Sequence, residues 1–158
     1  MTSVRRWWDE QALPRLVDVA LADATSGTWR TTVCVGATGE VLEIGFGSGR
    51  NLPYYGDTVT RVLAVEPADL AWARAKARVT ASGMPVTRVG LDGADLPVPD
   101  ASVDTVVSTW TLCTVPGVER ALHEARRVLR PGGQLRFVEH SAAPSRRVAG
   151  IQRRIQPL

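Results

Sequence analysis

The sequence has little lysine, little cysteine and no long apolar run. Of its nineteen basic residues only Lys76 is lysine; the rest are arginine. That skew reflects the base composition of a gene as readily as selection for phosphate binding. The two cysteines, Cys34 and Cys113, fit neither a disulfide framework nor a zinc spacing. His123 and Glu124 begin like a zinc-protease motif, but position 127 is Arg where the second histidine would stand. His123 therefore reads as a solvated helix residue, and no metal site is expected. No apolar run approaches the length of a membrane span, so no stable membrane insertion is expected. The N-terminus, MTSVRRWWDE, has two arginines but no apolar stretch behind them. It does not read as a secretory signal, and a cytoplasmic location is the expectation.

What charge there is sits unevenly. From Ser141 onward there are four arginines and no acid, and without them the formal charge falls from +3 to −1. The body is slightly acidic and has no basic stripe with interleaved aromatics, which argues against a nucleic-acid partner. The 158 residues suffice for one domain with a single core. We divide the domain into an N-terminal helical cap (1–38), a core (39–140) and a basic amphipathic C-terminal helix (141–158).

ALPRLVDVALAD places Leu13, Leu16, Val17 and Ala20 on one helical face, and a second short helix is predicted over Thr28 to Val35. From Glu40 the pattern changes to strands alternating with helices. Strands are predicted at EVLEI, at RVLAVE (Arg61 to Glu66), within PVTRVG, at VDTVVSTW (Val103 to Trp110) and at QLRFVEH (Gln134 to His140). Helices are predicted over Arg50 to Tyr55, Ala68 to Ser82 and Val118 to Leu129, the last with Leu122, Ala125 and Leu129 inward. The expected fold is α/β: a Rossmann-like, mostly parallel, doubly wound sheet of about five strands with N-terminal helices. Ligands bind such sheets at the carboxyl ends of the strands, beside the switch in strand order. The residues of interest are those just after each strand.

VLEIGFGSGR, Val41 to Arg50, is a strand, a glycine loop and a helix start. Gly45, Gly47 and Gly49 alternate, so backbone can approach a ligand closely and free N–H groups follow. Taken alone, such a loop is also an ordinary structural turn. Glu66 ends the next strand, 21 residues after Gly45, where a carboxylate can accept both ribose hydroxyls of an adenosine. Asp92 and Gly93 follow the third strand and offer an acceptor and a backbone N–H to an adenine. The nicotinamide fingerprint G-x-G-x-x-G would need glycine at position 50, which is Arg. Glu43 lies two residues before the first glycine. Negative charge there disfavours a pyrophosphate and suits the sulfonium and ammonium of S-adenosylmethionine. Glu43 is also expected to hold the glycine loop through backbone N–H groups.

LEIGFGSGRNLPYY, VEP, LDGADLPVPDASVDTVVSTWTLCTV and RRVLRPGGQLRFVEH resemble the successive motifs of the class I S-adenosylmethionine-dependent methyltransferases. The resemblance is nearest to the methyltransferase type 11 group, and STWTLCTV and FVEH resemble its branch of methyltransferase-like thiol methyltransferases. It implies that Gly45, Gly47 and Gly49 pack against the methionine part and ribose. Glu66, with Pro67 beside it, would bind the ribose, and Asp92 and Gly93 the adenine. Ser108 or Thr109 would meet the methionine amino group, and Asn51 and Arg50 its carboxylate. Position 94 is Ala where this branch often has an acid.

The reaction implied is methyl transfer to a small-molecule acceptor. His140 is the candidate base by residue type and position, with a hydrogen-bonded strand-end histidine as its alternative. Cys113 is expected to be a buried, inert thiol, and Trp110 and the Trp7–Trp8 pair to serve packing. The family pattern has seven strands, the last two a hairpin beside the fifth, whereas this sequence stops one helix after the fifth. That helix carries Val148, Ile151 and Ile155 on one face; it could lie on a membrane or a partner, but a sheet face is the favoured place. The uncovered fifth strand invites pairing, and a homodimer through that edge or through the C-terminal helix is the association it allows. Two functions compete: an active methyltransferase, and a truncated cofactor-binding module with little or no catalysis, stabilised by self-association or a partner. A nicotinamide reductase is a third.

Overall fold

The computed structural model describes residues 23–140. Among the described residues the first helix, α1 (Asp23–Cys34), leads into β1 (Gly39–Ile44), a glycine loop and a 3-10 turn at Leu52–Tyr54. Then come β2 (Val59–Val65), α2 (Asp69–Ser82), β3 (Val86–Gly90), β4 (Val103–Thr109), α3 (Val118–Val128) and β5 (Leu129–Val138). The five strands form one sheet in the order β3-β2-β1-β4-β5, and every neighbouring pair is parallel. The expected fold class is thus observed. The chain runs outward from β1 to β3, then returns to lay β4 on the other side of β1. The crevice of an open α/β sheet opens at that reversal, between the carboxyl ends of β1 and β4.

Side-chain parity decides what faces that crevice. Successive strand residues point to opposite faces. Val41, Val62, Ala64 and Val107 pack with Val33, Cys34 and Ala75 on the side of α1 and α2. Leu42, Ile44, Val65 and Val106 pack with Ala125 and Val128 on the side of α3. Glu43 therefore belongs to the α1 face, as does Thr109, while Ser108 belongs to the α3 face.

Four elements differ from expectation, the first being the helix predicted over Arg50 to Tyr55, which is only the 3-10 turn at Leu52–Tyr54. α1 is already helical at Asp23, not only from Thr28, and its inner face carries Ser26, Arg30, Val33 and Cys34. α3 buries Ala121, Ala125 and Val128, whereas Leu122 is 41% exposed and Leu129 has left the helix for β5. Both triplets have helical spacing, so periodicity does not separate them. The helix is turned by Arg127, which donates to Glu124 and Asp100 and to the carbonyls of Val98 and Leu96. Finally, β5 starts at Leu129, so Pro131, Gly132 and Gly133 lie inside a strand instead of ending a helix. Among the described residues β5 is one of the two sheet edges, and a proline there need remove no ladder hydrogen bond. The two outer parts of the domain division, 1–38 up to α1 and 141–158, with the Trp7–Trp8 pair, lie outside the described residues. No helix among the described residues is long and apolar enough to cross a membrane.

Candidate functional site

The glycine loop is tied down from β2. Gly45 N and Phe46 N both donate to the carbonyl of Val65, and Gly47 N donates to Glu66 Oε2 at 2.7 Å. The other Glu66 oxygen accepts from Ala68 N at 2.8 Å, at the start of α2. Glu66 is buried, and burial raises its pKa while the bonds from Ala68 and Gly47 oppose the rise. Holding the glycine loop was expected of Glu43. The structure gives that bond to Glu66 instead, because the carboxylate just past β2 lies beside the loop that leaves β1.

The alternating glycines serve different ends. Gly45 has φ +78°, and a Cβ there would overlap the side chain of Thr111. Gly47 has φ +58°, and the nearest atom to its Cβ would be the Gly45 carbonyl oxygen at 4.0 Å. Space therefore opens in front of Gly47, beside the Glu66 carboxylate. A ligand backed by bare peptide and presenting hydroxyls fits this cradle.

Glu43, Asn51 and Thr109 come together beneath the loop, joined by two residues that the sequence reading missed. Asn51 Nδ2 donates to Glu43 Oε1 at 2.8 Å and to Thr109 Oγ1 at 3.2 Å. Tyr55 donates its hydroxyl to Glu43 Oε2 at 2.6 Å. Arg30 Nη1 donates to Asn51 Oδ1 at 2.6 Å and to Thr109 Oγ1 at 3.4 Å. Glu43 is 1% exposed, and burial pushes its carboxyl up to about 7 against the bonds from Tyr55 and Asn51 and the charge of Arg30. Arg30 is legible in hindsight: it falls four residues after Ser26 and three before Val33, a charge on the apolar face of α1. Tyr55 is four residues from Asn51, but the 3-10 turn between them makes the pairing unreadable in advance.

The remaining predicted residues are placed apart. Ser108 turns to the α3 face, where its hydroxyl donates to Glu139 at 3.2 Å. Of the pair Ser108 and Thr109, only Thr109 joins the network under the loop. Asp92 and Pro67 are exposed, and Gly93 is buried. Asp92 Oδ1 accepts from Ala94 N at 2.8 Å, a local turn after β3 that leaves the carboxylate facing solvent.

His140, just past β5, is exposed. Its Nδ1 lies 3.9 Å from Cys113 Sγ, and its ring centroid is 6.3 Å from that of Trp110. Cys113 is exposed, not buried as expected. Desolvation of its sulfur and the neighbouring Glu139 push the thiol up to about 11, so it stays protonated near neutrality. Trp110 has φ +53°, a strained conformation for a bulky residue. Its ring lies under the Arg30 guanidinium, 5.0 Å from the centroid. Glu139, just past β5, accepts at Oε1 from Thr111 N at 2.9 Å and Leu112 N at 2.8 Å, fixing the loop after β4. The arrangement thus has a buried polar network at the ends of β1 and β4 and an accessible imidazole just past β5. Among the described residues no three His, Cys, Asp or Glu cluster as metal ligands.

Comparison with known proteins shows the family and the fold. Residues 42–137 match the family described as methyltransferase domain. The phosphatidylethanolamine N-methyltransferase of Cereibacter sphaeroides is 35% identical over 127 residues, covering 78% of this chain and 62% of that protein. The human thiol S-methyltransferase TMT1B is 40% identical over 116 residues, covering 69% of this chain and 46% of that protein. The chain therefore spans about half to three-fifths of the length of these relatives. A crystal structure of a SAM-dependent methyltransferase from Aquifex aeolicus superposes with a TM-score of 0.61 over 87% of this chain and 74% of that one. At 22% identity it shows the shared fold.

Proposed function

The chain belongs to the class I S-adenosylmethionine-dependent methyltransferases, and on that premise we propose that it transfers a methyl group from S-adenosylmethionine to a small-molecule acceptor. The observation that carries the reading is the Glu66 carboxylate bonded to Gly47 N in front of an open glycine cradle. Glu66 keeps lone pairs for the ribose hydroxyls, since a carboxylate offers about four acceptor sites. Gly45, Gly47 and Gly49 back the ribose and methionine part, with Pro67 at the rim. Asp92 and Gly93 meet the adenine. Glu43, Asn51 and Thr109 face the amino-acid end, where the Glu43 carboxylate answers an ammonium. Ser108 supports the loop after β4 through Glu139 instead of touching the donor.

When bound, the donor supplies an activated methyl group on a sulfonium, a leaving group that needs no acid. The protein's part is to align the acceptor, exclude water and, for an acceptor bearing a proton, take that proton up. His140 is the residue we assign to that proton, with Trp110 and Cys113 beside it forming the acceptor wall. Thiols and ethanolamine headgroups, the acceptors named for its relatives, are the first to test.

The test uses the whole chain, labelled S-adenosylmethionine and a panel of thiol and ethanolamine-lipid acceptors, with S-adenosylhomocysteine binding followed by calorimetry. Expected are binding of the product nucleoside and turnover on at least one acceptor. His140→Ala should lower turnover roughly 100-fold while leaving nucleoside affinity unchanged. A thermal shift with NAD and none with S-adenosylhomocysteine would overturn the donor reading. Tight nucleoside binding without turnover on any acceptor would favour the non-catalytic binding module.

A further inference from the structure

We propose that Glu139 is the positioning residue of the acceptor side: its carboxylate holds the turn after β4 against the glycine loop, and so sets where the acceptor wall stands relative to the donor. The inference rests on the methyl-transfer reading above. Glu139 lies just past β5 and is half-buried. Its Oε1 accepts from the Ser108 hydroxyl at 3.2 Å and from two successive backbone N–H groups, Thr111 at 2.9 Å and Leu112 at 2.8 Å. Its Oε2 accepts from the next one, Cys113 N, at 3.4 Å. Three consecutive N–H groups converging on one anion form a nest, and a charged acceptor bonds them more strongly than a neutral one does. Each of these partners donates, so the place calls for a carboxylate.

The turn held in this way touches both sides of the crevice. At its start Trp110 donates its N–H to the Val138 carbonyl at 2.7 Å and takes φ +53°, which a bulky residue keeps only where its surroundings impose it. Next, Thr111 fills the space in front of Gly45, where a Cβ would overlap its Oγ1 and Cγ2. The turn and the glycine loop are therefore in close contact. At the far end Cys113 is exposed, and its Sγ lies 3.9 Å from Nδ1 of His140, the residue after Glu139. One carboxylate thus sets Thr111 against the donor side and Cys113 beside His140. The glycine loop has its own ties, from Gly45 N and Phe46 N to Val65 and from Gly47 N to Glu66. Loss of Glu139 therefore frees the acceptor wall and leaves the donor cradle in place.

Two substitutions separate this role from a purely structural one. Glu139→Gln keeps an acceptor oxygen for Ser108, Thr111 and Leu112 but sets an amide NH2 against Cys113 N. Glu139→Leu removes every bond. Each whole chain is assayed for methyl transfer from labelled S-adenosylmethionine to dithiothreitol and to phosphatidylethanolamine vesicles, and for S-adenosylhomocysteine binding by calorimetry. The rate of Cys113 modification by dithionitrobenzoate at pH 7 is the third readout, since Cys34 is buried. Glu139→Leu should lower kcat roughly 100-fold, and Glu139→Gln about three- to tenfold, both with nucleoside affinity within about twofold of wild type. Cys113 should react at least about tenfold faster in Glu139→Leu than in Glu139→Gln, which has the same charge but keeps most of the bonds. Unchanged kcat in Glu139→Leu, a loss of nucleoside affinity as large as the loss of turnover, or one Cys113 rate in both variants would overturn the inference. If Glu139→Leu does not fold, Glu139→Gln decides alone, and wild-type turnover in it sinks the positioning role. A wild-type chain that binds the nucleoside and methylates neither probe counts against the methyl-transfer reading, while the two Cys113 rates still decide whether Glu139 holds the turn.

Discussion

The ends of β1 and β2 and the ends of β4 and β5 border the same crevice, yet they are built differently. At β1 and β2 the polar groups are buried and bonded across elements. Glu43 from β1 meets Asn51 and Tyr55 from the following turn, and Glu66 past β2 grips the loop that leaves β1. Past β4 and β5 the two side chains proposed to meet the acceptor, Cys113 and His140, are exposed. Cys113 and His140 touch only at 3.9 Å, and the loop between them is held by one carboxylate, Glu139, through backbone N–H groups. A site for a fixed ligand gains from preorganisation, because each polar group is already oriented when the ligand arrives. A site that admits and releases different acceptors gains less from it. The difference in construction supports the proposed division into a donor half and an acceptor half.

The strongest way to break the contrast is at Gly45. Gly45→Ala forces an L side chain into φ +78° and drives its Cβ into Thr111. Left-handed strain and overpacking together should cost about 3 kcal/mol of stability. Denaturant melts read that loss, and nucleoside titration of the surviving fold should show at least about a tenfold weaker donor complex, since the displaced Thr111 sits against the loop. Unchanged stability would mean that the loop is slack, and the two halves would no longer differ.

A subtler prediction concerns Glu43. Burial raises its pKa to about 7 in the folded chain from an ordinary value of 4.5. Between those values the folded chain keeps a proton that the unfolded chain has released. The unfolded state then binds fewer protons, so stability falls as pH rises from about 4.5 to about 7 and levels off above. Glu66, also raised by burial, adds a slope of the same sign. Glu124, held down to about 2 chiefly by its bond from Arg127, acts only at lower pH and in the opposite sense. Glu43→Gln should therefore remove about 2 kcal/mol of the loss between pH 5 and pH 8, measured by urea unfolding at each pH. An unchanged slope would show Glu43 ionised throughout, and the donor half would contain a fixed charge in place of a titrating one.

The smallest effect belongs to the acceptor half. Cys113 is exposed and its thiol is held protonated, so Cys113→Ser should alter stability by less than about 0.5 kcal/mol and leave nucleoside affinity unchanged. Rapid modification of Cys113 by a thiol reagent at pH 7, as fast as a free low-pKa thiol, would contradict the raised value and give this side an activated nucleophile.

Much of the donor half was legible in the sequence because it depends on local rules. Alternating glycines after an apolar strand specify a backbone loop, and a carboxylate at the end of the next strand falls beside it in any parallel pair. The choice between Ser108 and Thr109 was not legible. It depends on the parity of β4 relative to Glu43 on β1, which only the register of the two strands sets. Arg30 was missed because its value lies in reaching residues 21 and 79 positions away. The inward face of α3 was misread because two triplets share the same spacing, and Arg127 selects between them through contacts with the loop before β4.

By itself the sequence determined the alternation of strands and helices, the parallel sheet, the glycine loop and the two carboxylates that flank it. These follow from hydrophobic period, turn chemistry and strand-end position, all of which act over a few residues. Tertiary structure decided which polar side chains meet. It gave the glycine loop to Glu66 instead of Glu43, joined Arg30 to Asn51, turned Ser108 away and left Cys113 at the surface. Those outcomes depend on which strand lies beside which and on how each helix is rotated over the sheet. Long-range packing sets both, and no local pattern encodes them.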